Sequence, residues 1–223
     1  LKAGTETRLV VVVDSLFPVE SLVAFAKDFG AEHPSVELVL LTELLSAVTA
    51  QVRDRHATWG VAVEDADLSG LERRHVASVQ LVPVAAPKHS LAARRGPLDA
   101  EALQDSVQIV LGERGGGATG GPPDHGVLSP RTWRVVDLET KHALLLAGLG
   151  WGQMPEHVVR DDLARKRLVR LRVQALGPEP LGRGLLLVWR RGSSPGPVAR
   201  WAERRLSELC RRAIDPSRTL HAT

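Results

Sequence analysis

Leu9–Val13 reads Leu-Val-Val-Val-Val, apolar at every position, so no alternation marks one side as facing water. A strand of this kind is covered on both faces, as a parallel strand is when helices lie above and below it. The chain then supplies the helices. After Asp14–Ser15–Leu16–Phe17–Pro18, where Ser15 can cap a helix and Pro18 suits its first turn, Leu22, Phe25 or Ala26, and Phe29 recur at helical spacing. Gly30 is expected to stop that run. Val36–Leu41 reads as a second strand, Leu44, Leu45, Val48 and Val52 as a second helix, and Gly60–Val63 as a third strand. This β-α-β-α-β order predicts a parallel sheet with right-handed crossovers.

The alternation restarts after Ala86. Gln80–Ala86 reads as a longer strand, with Pro83 removing one backbone donor. A short capped helix at Asp99–Leu103 and strands at Val107–Leu111 and Trp133–Val136 follow. Next come a helix over Thr140–Ala147 stopped by Gly148, a strand at Trp151–Met154, and a helix from Pro155 to near Leu163. Leu168–Val173 and Leu185–Trp189 give two more strands, and Val198–Ala213 a last helix with Val198, Trp201, Ala202, Leu206 and Leu209 on one stripe. Two successive α/β units predict two lobes, each with its own parallel sheet and a ligand cleft between them. Lobe I is expected to hold residues 1–82 and 190–223, and lobe II residues 83–189. Residues 112–130, rich in Gly and Pro, read as a surface loop. Residues 1–7 read as the end of a linker and Ile214–Thr223 as a frayed tail.

Composition narrows the function classes. A chain of 223 residues lies at the upper edge of one domain and the lower edge of two. The single Cys210 excludes a disulfide framework and a cysteine zinc cluster, which fits a reducing, cytoplasmic setting. No apolar run approaches the roughly 20 residues of a spanning helix, and none resembles a signal peptide. The start at Leu1 rather than Met suggests a segment upstream. The net charge of +3 would suit an acidic partner, but the arginines are scattered, Tyr is absent and only 3 Phe are present. Direct DNA binding by this chain is therefore not expected.

Catalytic motifs fail on inspection. Gly112–Gly121 is glycine-rich but is followed by Pro122 and Pro123, not by Gly-Lys-Ser/Thr and a helix. Gly148–Leu149–Gly150–Trp151–Gly152 follows a helix and leads into a strand, the reverse of a dinucleotide fingerprint, and reads as a tight turn. The 8 histidines show no paired metal spacing, and no Gly-x-Ser-x-Gly elbow is present. No enzyme, cofactor or metal is expected. Ligands of open parallel sheets bind beyond the carboxyl ends of the strands. That rule selects Ser15, Leu16, Phe17 and Ser46 in the first lobe and Glu113, Asp137, Thr140 and Met154 in the second. Ser15 is the most specific, because a hydroxyl beside free helix N–H groups suits a carboxylate or other anion. The alternative is that Ser15 only caps its own helix.

Several segments resemble the effector-binding domain of LysR-type transcriptional regulators. Pro18, Phe29, His33–Pro34 and Val36–Leu41 are close to the family's "P-x-L…F…P-x-V-x-L". Leu81–Leu91 is similar to "l-v-x-V-x-x-x-x-H-P-L", with Ser90 in place of the usual Pro. Ala147–Pro155 resembles "v-x-x-G-x-G-i-x-x-l-P", and Leu163–Leu171 its continuation "d-l-x-x-G-x-L-V-x-L". The resemblance covers nearly the whole chain and implies two Rossmann-like lobes of the type 2 periplasmic-binding-protein-like class. It implies a small-molecule effector in the cleft, DNA contact only through an upstream winged helix-turn-helix, and a homodimer or tetramer. The dimer would use Val19, Leu22, Val23 and Ala26, with Val19–Phe29 of one copy near Val36–Val52 of the other. One departure is Arg55–His56–Ala57–Thr58 where the family shows Gly-x-x-Asp. A periplasmic-type solute-binding protein is the competing reading of the same two-lobed plan; a Rossmann-type enzyme lacks both fingerprint and catalytic groups.

Overall fold

The unbroken apolar run becomes β1 (Arg8–Asp14), with Leu9 and Val11–Val13 buried in the computed structural model, which describes residues 6–112 and 126–214. β1 lies parallel between β2 (Glu37–Glu43), in register from Arg8↔Glu37 to Asp14↔Glu43, and β3 (Trp59–Val63), in register from Val11↔Trp59. α1 (Val19–Glu32) and α2 (Ser46–Arg53) are the crossovers. Gly60 permits close packing here: a Cβ at that position would sit 2.9 Å from the Val12 carbonyl oxygen. β9 (Leu181–Arg190) runs antiparallel to β3, and α7 (Pro197–Ile214) packs on α1, with Trp201 against the rings of Phe25 and Phe29. The Glu6 carboxylate accepts from the N–H groups of Val198 and Ala199 and so caps α7.

Three local expectations are corrected. α1 passes through Gly30 and ends after Glu32, where the His33 N–H donates to the Phe29 carbonyl. Gly30 is exposed with open space around it, so the helix tolerates it, and Pro34 supplies the stop. Ser15 does not cap α1: Pro18 is the N-cap and no side chain caps that end. Ile214 is the last residue of α7 rather than part of a tail. The rest of the expected tail, and residues 1–5 of the expected linker, lie outside the described residues.

The second run of elements begins with β4 (Leu71–Ala85), which starts well before the expected Gln80. Its first half, Leu-Glu-Arg-Arg-His, carries polar side chains outward and hides the strand period. α3 (Ser90–Ala93) follows, with His89 as its N-cap and Ser90 at the first helical position, where a proline would equally fit. Then come α4 (Ala100–Leu103), β5 (Gln108–Leu111), β6 (Thr132–Val135), α5 (Leu138–Leu146), β7 (Trp151–Pro155), α6 (Glu156–Ala164) and β8 (Val169–Arg170). The expected strand Leu168–Val173 shrinks to β8 on β4 plus a single bridge from Val173 to Leu98. β5 pairs in parallel with β6 and β7, and β7 runs antiparallel to β4. Val84 and Ala85, neighbours in β4, feed two different apolar clusters, one around Ile109, Leu145 and Met154 and the other around Leu91, Leu103 and Trp151. This is the period of two expected of a strand covered on both sides.

The chain forms two compact units, 1–78 with 183–223, and 79–182. The divisions fall after Ser78 inside β4 and after Gly182 inside β9. The expectation of two separate sheets is corrected. Each unit holds its own three parallel strands, but pairing is continuous in the order β2-β1-β3-β9-β4-β7-β5-β6, with β8 on β4. β4 and β9 are the strands through which the chain passes between units. Among the described residues no helix is long and apolar enough to cross a membrane.

Candidate functional site

In the first unit the chemistry gathers where β1 and β2 end. Asp14 is 1% exposed, and its carboxylate accepts from the N–H groups of Leu16 and Leu45, both at 2.9 Å. It thereby ties the β1–α1 turn to the β2–α2 turn, and the Ser15 N–H adds a bond to the Glu43 carbonyl. Leu45 is held at φ 43°, ψ −110°, a left-handed conformation that costs a branched side chain energy and persists only under such restraint. α1 and α2 both start without a side-chain cap. The Ser15 Oγ lies buried in this corner with no hydrogen-bond partner among the described residues. A hydroxyl left unsatisfied next to two uncapped helix starts is a donor awaiting an acceptor.

The expected site residues are treated unequally. Ser15 and Leu16 line the β1–α1 turn, and Ser46 is the first residue of α2. Phe17 is buried as part of the first unit's core. Glu113 lies outside the described residues, as does most of the expected 112–130 loop. Asp137 and Thr140 form a helix cap: the Asp137 carboxylate accepts from the Thr140 N–H at 2.6 Å at the start of α5. Met154 is fully buried in the cluster around Ile109 and Leu145.

Sequence reasoning missed two polar residues of the second unit. Gln108, buried in β5, donates to the Gly126 carbonyl and accepts from the Leu128 and Ser129 N–H groups, and Ser129 in turn accepts from the Trp151 indole. Its signal was a polar side chain inside an apolar strand. Lys141 in α5 is also buried, and burial alone lowers its ammonium to about 8 from the ordinary 10.5. Its signal was a cation four residues before the core Leu145.

The remaining polar groups are structural. Asp162 of α6 pairs with His142 of α5 at 2.7 Å and with Arg167 at 2.5 Å, a clasp between two helices. Cys210 is buried, and its thiol is pushed up to about 12, far from a reactive thiolate. Gly148 at φ 77° closes α5: the Gly148 N–H donates to Leu145 and the Leu149 N–H to Leu144, a Schellman turn. A Cβ at Gly150 would lie 2.6 Å from the Val107 carbonyl oxygen, so this glycine serves packing and the turn reading holds. Among the described residues no group of three or more His, Cys, Asp or Glu is placed to hold a metal ion.

On α1, Ser21, Phe25 and Phe29 are buried, Leu22 and Ala26 are partly buried, and Val19 and Val23 stand 62% and 67% exposed.

Comparison with known proteins gives one consistent result. The LysR substrate binding domain family matches residues 2–211. The chain is 26% identical over 219 residues to the probable HTH-type transcriptional regulator YhaJ of Escherichia coli (strain K12), covering 94% of this chain and 68% of that protein. Among solved structures it is similar to the CcmR regulatory domain of Synechocystis PCC6803, solved in complex with 2-PG, at 16% identity and a TM-score of 0.72, over 91% of this chain and 97% of that one. It is likewise similar to the regulatory domain of MetR, a LysR family regulator of N. meningitidis, at 16% identity and a TM-score of 0.70, over 91% and 93%.

Proposed function

Because the chain belongs to the LysR substrate-binding domain family, the effector-sensing part of transcriptional regulators and not an enzyme, we propose that it senses a small metabolite held at the β1–α1 and β2–α2 turns of the first unit. The observation that carries this reading is the buried, unpartnered Ser15 hydroxyl beside two uncapped helix starts and the strained Leu45. Ser15, Leu16 and Ser46 are the proposed contacts there, and Asp14 is the brace that holds both turns in place. The family membership weighs against a solute-binding transport protein. In the whole regulator, effector occupancy would control DNA binding through an upstream winged helix-turn-helix, in a cytoplasmic protein that associates with copies of itself. Such control requires the effector to bind two states of the regulator unequally.

The test starts from a thermal-shift screen of metabolites, since a compound that binds only the folded form raises the melting temperature. Any hit is then titrated against wild type and Ser15→Ala. The expected result is roughly tenfold or greater weakening, as for loss of a buried hydrogen bond to a ligand, with an unchanged melting temperature in the absence of ligand. Equal affinity for both proteins would remove Ser15 from the site.

A further inference from the structure

We propose that His89 is an acid-sensitive latch on the β4–α3 corner, closing the start of α3 while its ring is neutral and releasing it once the ring is protonated. The proposal goes beyond effector sensing and does not depend on it. The His89 ring Nδ1 accepts from the Leu91 N–H at 3.2 Å, which makes this histidine the N-cap of α3. A backbone amide can only donate, so Nδ1 has to be bare and the ring proton has to sit on Nε2. N-caps are ordinarily serine, threonine, asparagine or aspartate, whose oxygens go on accepting in mild acid. α4 and α5 of the same unit are capped in that way, by Asp99 and Asp137. A histidine cap differs, because imidazole changes its charge between about pH 5 and about pH 8. Once it is protonated both ring nitrogens donate, and the Leu91 N–H meets a donor in place of an acceptor.

The setting resists that proton. Burial holds the His89 imidazole below its ordinary 6.5. Its own segment adds only exposed cations, Lys88 before it and Arg94 and Arg95 after it. Leu91 is 2% exposed and packs in the apolar cluster that joins β4, α4, β7 and residues 171–173. Residues 79–87 and β7 bring no charged side chain to that cluster. Asp99 is taken up by the α4 cap, Glu101 and Arg172 are exposed, and Arg170 of β8 is paired with Glu156. Backbone bonds hold the rest of the corner: the His89 N–H donates to the Ala86 carbonyl at 3.0 Å, and the Ala92 N–H to the His89 carbonyl at 2.9 Å. Releasing the ring therefore frees the Leu91 amide and leaves the turn in place. The folded chain favours the neutral ring, so below 6.5 the unfolded chain binds more protons. The contribution of the latch is complete above 6.5 and is lost as the pH falls below it.

The experiment uses the whole chain as wild type, His89→Asn and His89→Ala, from about pH 8 down to about pH 5. Asparagine keeps a capping oxygen that does not titrate, and alanine removes the cap at every pH. The imidazole 15N resonances of His89, assigned by their absence from His89→Asn, are expected to show a bare Nδ1 at the alkaline end and a titration midpoint below 6.5. Exchange of the Leu91 amide, corrected for its intrinsic pH dependence, should quicken roughly fivefold or more in wild type on acidification, as for loss of one hydrogen bond. It should stay slow in His89→Asn and fast in His89→Ala throughout. The wild-type melting temperature should fall relative to that of His89→Asn over the same range, since the other histidines are common to both proteins. A proton on Nδ1 at the alkaline end, a midpoint at or above 6.5, or Leu91 exchange indifferent to the titration of the ring would each overturn the proposal. So would a melting difference between wild type and His89→Asn that is constant with pH. The ring and amide of wild type decide the matter even where a variant melts early.

Discussion

At the scale of the residue, two side chains besides Leu45 sit on backbone that glycine prefers. Arg55 has φ 65° and Lys166 φ 56°. Arg55 stands where the resemblance would place the Gly of Gly-x-x-Asp, and Lys166 where it would place the Gly of "d-l-x-x-G-x-L-V". The turns are therefore kept and the strain is accepted. Arg55 is exposed, so Arg55→Gly should stabilise the domain by about 0.5–1 kcal/mol, the left-handed penalty less the extra chain entropy of glycine. Urea denaturation measures this, and a lower midpoint at unchanged slope would refute it. Lys141 gives a pH signature. Its folded-state value lies near 8, below the 10.5 of the unfolded chain, so between those limits the unfolded chain binds more protons and stability rises with pH. The gain across that window is about 3 kcal/mol at most. It should appear as a wild-type stability that climbs relative to Lys141→Met from pH 8 to pH 10.5, and parallel curves would rule it out.

At the scale of the element, α1 shows how one helix can serve two purposes. Its Phe25 and Phe29 close the core against Trp201 of α7, which accounts for part of its all-round apolar character. Val19 and Val23 are left over and exposed. A pair of bare valines on the outer side of a helix fits a self-complementary contact with a second copy, in which the same patch appears on both partners. Val23→Glu should weaken self-association tenfold or more with little change in stability, as read by light scattering across micromolar concentrations. Association indifferent to this charge would move the contact to another surface. α5 makes the complementary point. Its start and its end at Gly148 fall within two residues of the helix expected over Thr140–Ala147, whereas the direction taken by Lys141 depends on a glycine in a different strand.

At the scale of the whole molecule, the chain passes between its units twice, within β4 and within β9. The second unit is one continuous segment with an apolar cluster on each side of its sheet, and every member of both clusters lies within 79–182. The fragment 79–182 should therefore fold by itself, with a cooperative urea transition and the buried emission of Trp151. A fragment that unfolds without cooperativity would show that it borrows stability from the rest of the chain. The first unit has no such fragment, because α7 must return from the far end of the sequence to cover Phe25 and Phe29.

The sequence alone determined the α/β class and most elements, because hydrophobic period, proline and glycine act over a few residues and need no distant partner. The run Leu9–Val13, the stripe on α7 and the Gly148 turn were legible for that reason. Tertiary structure decided what depends on partners remote in the chain. Asp14 reached Leu45 across 31 positions, while Ser15, which reads as a cap, was left without a helix to cap. Gly152 turned Lys141 inward. The site is made of such long-range contacts, and for that reason its residues were only partly visible in one dimension.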